Sequence, residues 1–252
     1  MSILRLARNV SNLERLAAFY TVLGFQPQGM AQNDSALAAL LGVAQAQTLR
    51  LNLGPCEIEL TQTTPPGAPY PRQAGADARL FQHLAVLTPN IAAATARALA
   101  AGALSISNGG PVQLPPASGG VVAWKFRDPD LHPVEFLERQ SQTGYDHSGI
   151  VVTNSTASTA FYGQFGLQPV HSQTNTGPEQ DRLDGFTGAA PHITTLRAQT
   201  GPGLELLNYV GGNHDRAFAS APADIAADRL VVSGATQGLL RDPDGHWVLA
   251  KA

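Results

Sequence analysis

The feature that most constrains this chain is an internal repeat, in which a short apolar strand leads into a helix. Three copies share an asparagine and a glycine twelve residues apart: Asn12 and Gly24, Asn90 and Gly102, Asn154 and Gly166. The first and third copies also share an Ala-Phe-Tyr triplet at residues 18–20 and 160–162. A spacing kept in three copies predicts three structural units of one kind.

In the first copy, several residues predict where the helix begins and ends. Ser11 and Glu14 have the spacing of a capping box. Leu13, Leu16 and later apolar residues follow helical periodicity, which predicts one face buried against a sheet. Gly24 is placed to end the helix.

Each copy continues into turn-rich strands and ends on a strand that carries a glutamate. Glu135 lies between Val134 and Phe136, and because side chains alternate across a strand, it faces away from both apolar neighbours. The corresponding glutamates in the first and third copies are Glu59 and Glu205. A carboxylate in such a strand is either exposed or held inside for a reason such as metal binding.

A fourth copy is a remnant of the repeat. The Asp-Pro-Asp turn at 128–130 recurs at 242–244, and the apolar stretch after Arg229 resembles an opening strand. Only 20 residues separate Arg229 from Leu249, which matches the glutamate position. The sequence therefore predicts that this copy lacks the helix and at least one strand.

The repeat also aligns one residue at the start of each first strand, seven positions before the asparagine. These residues are Arg5, His83, His147 and, in the fourth copy, Arg229. The second and third copies thus supply a histidine and a glutamate each, whereas the first supplies arginine and glutamate and the fourth arginine and leucine.

Composition narrows the function classes. The formal net charge of −3 gives no electrostatic case for binding nucleic acid or an anionic membrane. A single cysteine, Cys56, excludes an internal disulfide and a cysteine zinc cluster. The N-terminal residues have no signal-peptide pattern, and no apolar run reaches membrane-spanning length, so we expect a cytoplasmic protein.

The repeated openings and the DPD-x-H-P-x-E ending make the chain resemble the vicinal oxygen chelate superfamily. This superfamily includes glyoxalase I, bleomycin-resistance proteins, epimerases and extradiol dioxygenases. The resemblance covers nearly the whole chain and implies an α+β fold of tandem βαβββ units, four here with the last truncated, in two cup-shaped mixed sheets. Its expected domains are residues 1–140, with two units, and 144–252, with one full and one truncated unit.

The resemblance implies that histidines and glutamates at these positions are metal ligands. Pairing the second unit with the third, and the first with the fourth, collects a complete ligand set in one cup: His83, Glu135, His147 and Glu205. It leaves Arg5, Glu59, Arg229 and Leu249 in the other. Pairing the first unit with the second is the alternative, which would join Glu59 to His83 and Glu135. We favour the first pairing because it explains why the replacements fall on units one and four together.

Two imidazoles and two carboxylates suit one divalent transition ion, and nickel, cobalt, zinc, manganese and iron all fit. The resemblance then implies a glyoxalase-like lyase or isomerase acting on a small substrate with adjacent oxygens. Glu135 would move the proton, with Glu205 as its counterpart. An extradiol-type dioxygenase, which uses two histidines and one glutamate on iron, and a metal-free ligand-binding protein are the alternatives. We expect a monomer or homodimer.

Other residues receive simpler interpretations. Glu57 and Glu59 share a strand face and are expected to be solvated. His132 and His246 follow the Asp-Pro-Asp turns and are expected to be turn residues. The Gly- and Pro-rich loop 107–120 is expected to border the metal-binding cup.

Overall fold

The structure is a computed structural model that describes residues 2–211, 220–234 and 237–251. Within these ranges the α-helices are α1 (Leu13–Val22), α2 (Ser35–Leu41), α3 (Ile91–Ala100), α4 (Ser155–Gly163) and α5 (Pro178–Asp184). The strands are β1 (Ile3–Asn9), β2 (Gln26–Pro27), β3 (Gln32–Asn33), β4 (Gln45–Leu53), β5 (Cys56–Thr64), β6 (Gln82–Thr88), β7 (Leu104–Ser105), β8 (Val112–Gln113), β9 (Val122–Arg127), β10 (Pro133–Glu138), β11 (Gly144–Val151), β12 (Gln168–Thr174), β13 (Pro191–Arg197), β14 (Gly203–Tyr209), β15 (Arg229–Ser233), β16 (Gly238–Arg241) and β17 (Trp247–Lys251). None of the helices in the described part of the chain is long and apolar enough to cross a membrane.

The strands form two mixed sheets, and each takes strands from both halves of the sequence. One has the order β16-β17-β15-β1-β5-β4-β2, with β3 beside β4, and so joins the first and fourth units. The other has the order β12-β13-β14-β11-β6-β10-β9-β7, with β8 beside β9, and joins the second and third units. The predicted α+β class and the preferred pairing of units are both confirmed. The described part of the fourth unit has three strands and no helix, as predicted.

The repeated asparagines are explained by helix capping. Asn12, Asn90 and Asn154 each precede a helix, and each side chain accepts a hydrogen bond from the backbone N–H three residues later. This satisfies one of the unpaired N–H groups at each helix start. The predicted capping box of Ser11 and Glu14 is wrong, because the Ser11 hydroxyl donates instead to Asp130, at 2.7 Å.

Strand alternation divides the side chains between a shared core and two cups. In β6, Leu84 and Val86 belong to the large hydrophobic cluster that contains residues of both sheets. His83 lies outside that cluster, because its side chain faces the cup. In β10, Val134 and Phe136 face the same core, so Glu135 faces the cup. The same alternation operates in β11 and β14, which carry His147 and Glu205.

A buried arginine links the units where the two sheets meet. Arg8 is fully buried, and its Nε donates to Asp228 at 2.9 Å. Its guanidinium also donates to the Tyr20 hydroxyl at 2.6 Å and to the carbonyl oxygens of Gln82 and Pro133. One charged group therefore bonds to side chains or backbone of three units.

The Asp-Pro-Asp turn completes this network. Asp128 accepts a hydrogen bond from the Tyr20 hydroxyl at 2.8 Å and one from His132 Nδ1 at 2.9 Å. His132 Nε2 lies 2.9 Å from the carbonyl oxygen of Ile225. Both partners only accept hydrogen bonds, so both ring nitrogens carry protons and the imidazole is positively charged. Burial opposes this positive charge, but Asp128 and Asp228 outweigh burial and raise the pKa of His132. His132 is thus a structural turn residue, as predicted.

The second turn repeats the tyrosine, aspartate and histidine contacts between units in the other half of the molecule. Tyr162 donates to Asp242 at 3.0 Å, and His246 Nε2 lies 2.8 Å from the carbonyl oxygen of Val151. The repeated Asp-Pro-Asp and tyrosine motifs are therefore contacts between units, and they lie outside the cups.

A candidate metal centre

Three predicted ligands meet at the bottom of the cup formed by the second and third units. His83 Nε2 lies 3.3 Å from His147 Nε2 and 3.3 Å from Glu135 Oε2. His147 Nε2 lies 3.8 Å from the same carboxylate oxygen. All three residues are buried, and their ligand atoms lie within 4.8 Å of one another. Two imidazole nitrogens and a carboxylate converging in a buried space are donors that suit a divalent transition ion.

Glu205, the fourth predicted ligand, lies at the edge of this cluster. Its Oε2 is 3.3 Å from His147 Nε2, and its side chain is 23% exposed. Thr195 donates to its other oxygen at 3.4 Å. The structure thus brings the four predicted residues into one cup, with Glu205 nearer to solvent than the other three.

Asp146 orients one of the two histidines, and sequence reasoning missed it. Its Oδ2 accepts from His147 Nδ1 at 2.8 Å, so Nε2 is left pointing at Glu135 and Glu205. Burial opposes charge on His147, but Glu205 and Asp146 outweigh it and raise its pKa to about 9. A carboxylate on the far nitrogen of a metal-binding histidine is a common outer-shell contact. Its position directly before the histidine was the available signal.

The two histidines differ in this support. The Nδ1 atom of His83 is buried and has no hydrogen-bond partner among the described residues. Burial also lowers the pKa of His83. His83 is placed instead by steric contact with β11, where the backbone at Gly149 faces the ring.

We expect an Asp146→Ala variant to bind a divalent transition ion about 10–100-fold more weakly, because His147 loses the contact that fixes its tautomer and orientation. Metal competition against a chromophoric chelator measures this change. Asp181→Ala is a matched control, since Asp181 is an acidic residue of α5 outside the cup. A ratio near one between the Asp146 variant and the wild type would show that His147 is oriented without it.

A buried lysine faces the same cup and was also missed. Lys125 on β9 is directly opposite Glu135 in the antiparallel ladder, and its Nζ donates to Asp184 at 2.6 Å. Burial would raise the pKa of Glu135, but Lys125 and His83 outweigh burial and lower it to about 2. Glu135 is therefore ionised, as a metal ligand must be. Lys125 alternates with Trp124 and Phe126 as Glu135 does with its neighbours, and that was the sequence signal.

The cup opens into a cavity of about 300 Å³. Its floor is the cluster described above, and one wall includes Leu114, Ser118 and Gly119. The prediction that loop 107–120 borders this cup is confirmed. Helix α5 forms another part of the wall through Gln180 and Leu183.

The cup of the first and fourth units is built differently. Arg5 occupies the place of His83 and donates to Glu59 at 2.9 Å, with Glu57 3.4 Å away. Glu59 is only 4% exposed, so the prediction that it is solvated is wrong: its carboxylate is buried because an arginine neutralises it. Glu57 remains partly exposed.

The remaining predicted residues of this cup, Arg229 and Leu249, contact other residues of the protein. Arg229 donates to Asn9 at 2.7 Å and to Thr61 at 3.1 Å. Leu249 packs with α2 in a hydrophobic cluster. The described residues of this cup therefore offer no histidine and no free carboxylate pair for a metal.

Comparisons with known proteins agree with this architecture. Residues 2–136 match the Glyoxalase/Bleomycin resistance protein/Dioxygenase superfamily. A crystal structure of a glyoxalase I mutant from Zea mays is similar, with a TM-score of 0.63 and 17% identity over 99% of this chain and 91% of that chain. A putative dioxygenase from Bacillus subtilis has a TM-score of 0.57 and 12% identity over 99% of this chain and 84% of that chain. No curated protein matches the chain significantly.

At these identities the structural likenesses establish the fold alone, whereas the sequence match covers more than half of the chain. The chain belongs to the Glyoxalase/Bleomycin resistance protein/Dioxygenase superfamily, also called the vicinal oxygen chelate superfamily.

Proposed function

We propose that the chain is a metal-dependent enzyme with glyoxalase-like lyase or isomerase chemistry on a small substrate that presents adjacent oxygens. The observation that carries the proposal is the buried cluster of His83, Glu135 and His147, with Glu205 beside it. A buried carboxylate must be paired or coordinate a metal, and here two imidazole nitrogens converge with it as the donors of a metal site. The equivalent positions in the other cup have lost this set, so the fold does not require it.

The four residues would hold one divalent transition ion, and nickel, cobalt, zinc, manganese and iron all suit mixed nitrogen and oxygen ligands. When bound, such an ion supplies Lewis-acid polarisation of a substrate carbonyl. The remaining roles belong to the chain. Asp146 holds the ring of His147, and the 300 Å³ cavity surrounds a small substrate.

Glu135 is the residue proposed to move the proton, and Glu205 is its counterpart. Both lie on the same side of the cavity as the two histidines, with Glu135 deep and Glu205 nearer to the mouth. A carboxylate of lowered pKa accepts a proton only from a carbon that is strongly acidified, which is what a polarised neighbouring carbonyl provides. Glu135, which then holds the proton, can return it to the adjacent carbon, and Glu205 is the equivalent carboxylate from the third unit.

Proton exchange tests this role directly. Dihydroxyacetone in D₂O, incubated with protein loaded with zinc or nickel, is expected to exchange its carbon-bound protons faster than with metal-free protein, as followed by proton NMR. The exchange is expected to fall by at least about 100-fold in Glu135→Gln, which keeps the size of the side chain and removes the base. The proposal fails if exchange is equal with and without metal, or equal in wild type and variant.

A second candidate is an extradiol-type dioxygenase, which one observation favours. The tight buried cluster contains two histidines and one glutamate, without Glu205, and this is the ligand number typical of non-haem iron oxygenases. Oxygen uptake with iron(II)-loaded protein and catechol separates the candidates. We expect no uptake above the rate of free iron; rapid uptake that His147→Ala abolishes would favour the dioxygenase.

A further inference from the structure

The cup contains a buried cation that is not part of the candidate ligand set. The side chain of Lys125 is 5% exposed and lines the cavity beside Glu135. Its ammonium group has three N–H donors, and one of them is bonded to Asp184. Among the described residues no other acceptor is hydrogen-bonded to this group. Two donors therefore remain for a ligand in the cavity.

Asp184 fixes the lysine in this position. It accepts from Lys125 at 2.6 Å, from Gln180 Nε2 at 2.7 Å and from the Tyr209 hydroxyl at 2.9 Å. Because a carboxylate only accepts, the amide nitrogen of Gln180 must face it. Helix α5 thereby holds the ammonium against the cavity wall.

This orientation of Gln180 leaves the acceptor at the other end of its amide, Oε1, without a partner among the described residues. Gln180 is 3% exposed and lines the cavity, and its Oε1 is buried with no partner among the described residues. An unpaired buried carbonyl is unfavourable, and a ligand hydroxyl would satisfy it. The wall therefore presents a cationic donor and a neutral acceptor from neighbouring elements.

The charges around the cavity favour an anionic ligand. When a divalent ion is bound, its two positive charges are neutralised by Glu135 and Glu205. Asp146 is neutralised by Arg197, and Lys125 is neutralised by Asp184. Arg139 at the rim forms no ion pair with another described residue, so one positive charge remains. A singly charged anion balances this cavity.

We propose that Lys125 and Gln180 form a substrate-binding subsite and that the substrate is a small monoanion bearing a hydroxyl group, as in a hydroxycarboxylate. Lys125 donates to the anionic oxygen, and Gln180 Oε1 accepts from the hydroxyl. The inference rests on the proposed function for its metal-bound form. It adds the charge of the substrate and two residues that recognise it.

Three small probes separate the two contacts. Glycolate carries both groups, ethylene glycol lacks the carboxylate, and acetate lacks the hydroxyl. Binding is measured by amide chemical-shift titration of protein loaded with one equivalent of zinc, and again of metal-free protein. Lys125→Met/Asp184→Asn removes the ion pair without leaving a buried charge, and Gln180→Met removes the acceptor. Zinc content is measured in every variant.

We expect wild-type protein to bind glycolate about tenfold more tightly than either analogue. Glycolate makes one hydrogen bond more than each analogue, and the bond to its carboxylate involves a charge. The lysine double variant is expected to lose the preference over ethylene glycol, and Gln180→Met the preference over acetate, with zinc content unchanged. Glycolate should also shift the amides of Lys125 and Gln180 in wild type more than ethylene glycol does, a result that does not depend on the folding of any variant.

Equal binding of the three probes to wild type, or variants that keep both preferences, would overturn the subsite. If wild-type protein does not bind zinc, that separate outcome contradicts the proposed function. In that case the metal-free titration decides the subsite: the same ranking of probes supports it, and no ranking overturns it.

Discussion

Replacing Arg8 with methionine is expected to lower the free energy of unfolding by about 3–5 kcal/mol, because it leaves buried carboxylates without their cation. Asp228 bonds directly to Arg8, and Asp128 is bonded through Tyr20. Urea unfolding followed by circular dichroism measures the change. Methionine keeps much of the apolar stem, so loss of packing contributes little.

Arg15→Met is the matched control for this prediction. Arg15 also pairs with an aspartate, Asp130, but its side chain is 51% exposed. Exposed ion pairs contribute little, so we expect a loss below about 1 kcal/mol. Similar losses in the two variants would contradict a central role for Arg8 at the junction of the sheets. A loss as large as predicted would identify the Arg8 network as the main polar link between units.

Gly149→Ala is expected to weaken binding of a divalent metal by about 100-fold, because it displaces a ligand. A Cβ at this position would lie 2.0 Å from His83 Cε1, and the backbone of β11 holds it there. The ring must therefore move away from His147 and Glu135. Metal affinity is measured by chelator competition, and strain in the strand is expected to reduce the free energy of unfolding by about 1–3 kcal/mol.

Gly144→Ala is the control, because it lies on the same strand and an added Cβ there meets no atom within 4 Å. It is expected to leave metal affinity unchanged. The other cup supports the steric argument: Val231 occupies the place of Gly149 and is opposite Arg5, where His83 would otherwise be. Unchanged metal affinity in Gly149→Ala would show that His83 has room to adapt or is not a ligand.

The repeat made much of the fold and the candidate site predictable. Each histidine lies seven residues before the repeated asparagine, so His83 and His147 could be matched from the sequence before their distance was known. The shared asparagines mark helix starts because each caps its own helix locally. The pairing of units followed from the observation that only one pairing keeps the replaced residues together.

What sequence reasoning missed depends on contacts between distant segments. The Lys125–Asp184 pair joins residues 59 positions apart, and the Arg8–Asp228 pair joins residues 220 positions apart. Nothing in either local sequence indicates the partner. Glu59 was misassigned for the same reason, because its burial depends on Arg5, 54 positions earlier. Gly149 also went unnoticed, since its importance comes from a ring on the neighbouring strand.

Elemental analysis of the purified protein for bound metal tests whether the cup of the second and third units is a metal centre. We expect about one equivalent of a divalent transition ion in wild type. It is expected to be largely lost in His147→Ala and retained in His192→Ala, whose histidine lies outside the cup. Absence of metal from wild type, even after incubation with excess nickel, cobalt, zinc, manganese or iron(II), would contradict a metal centre. Equal metal in wild type and His147→Ala would contradict its location.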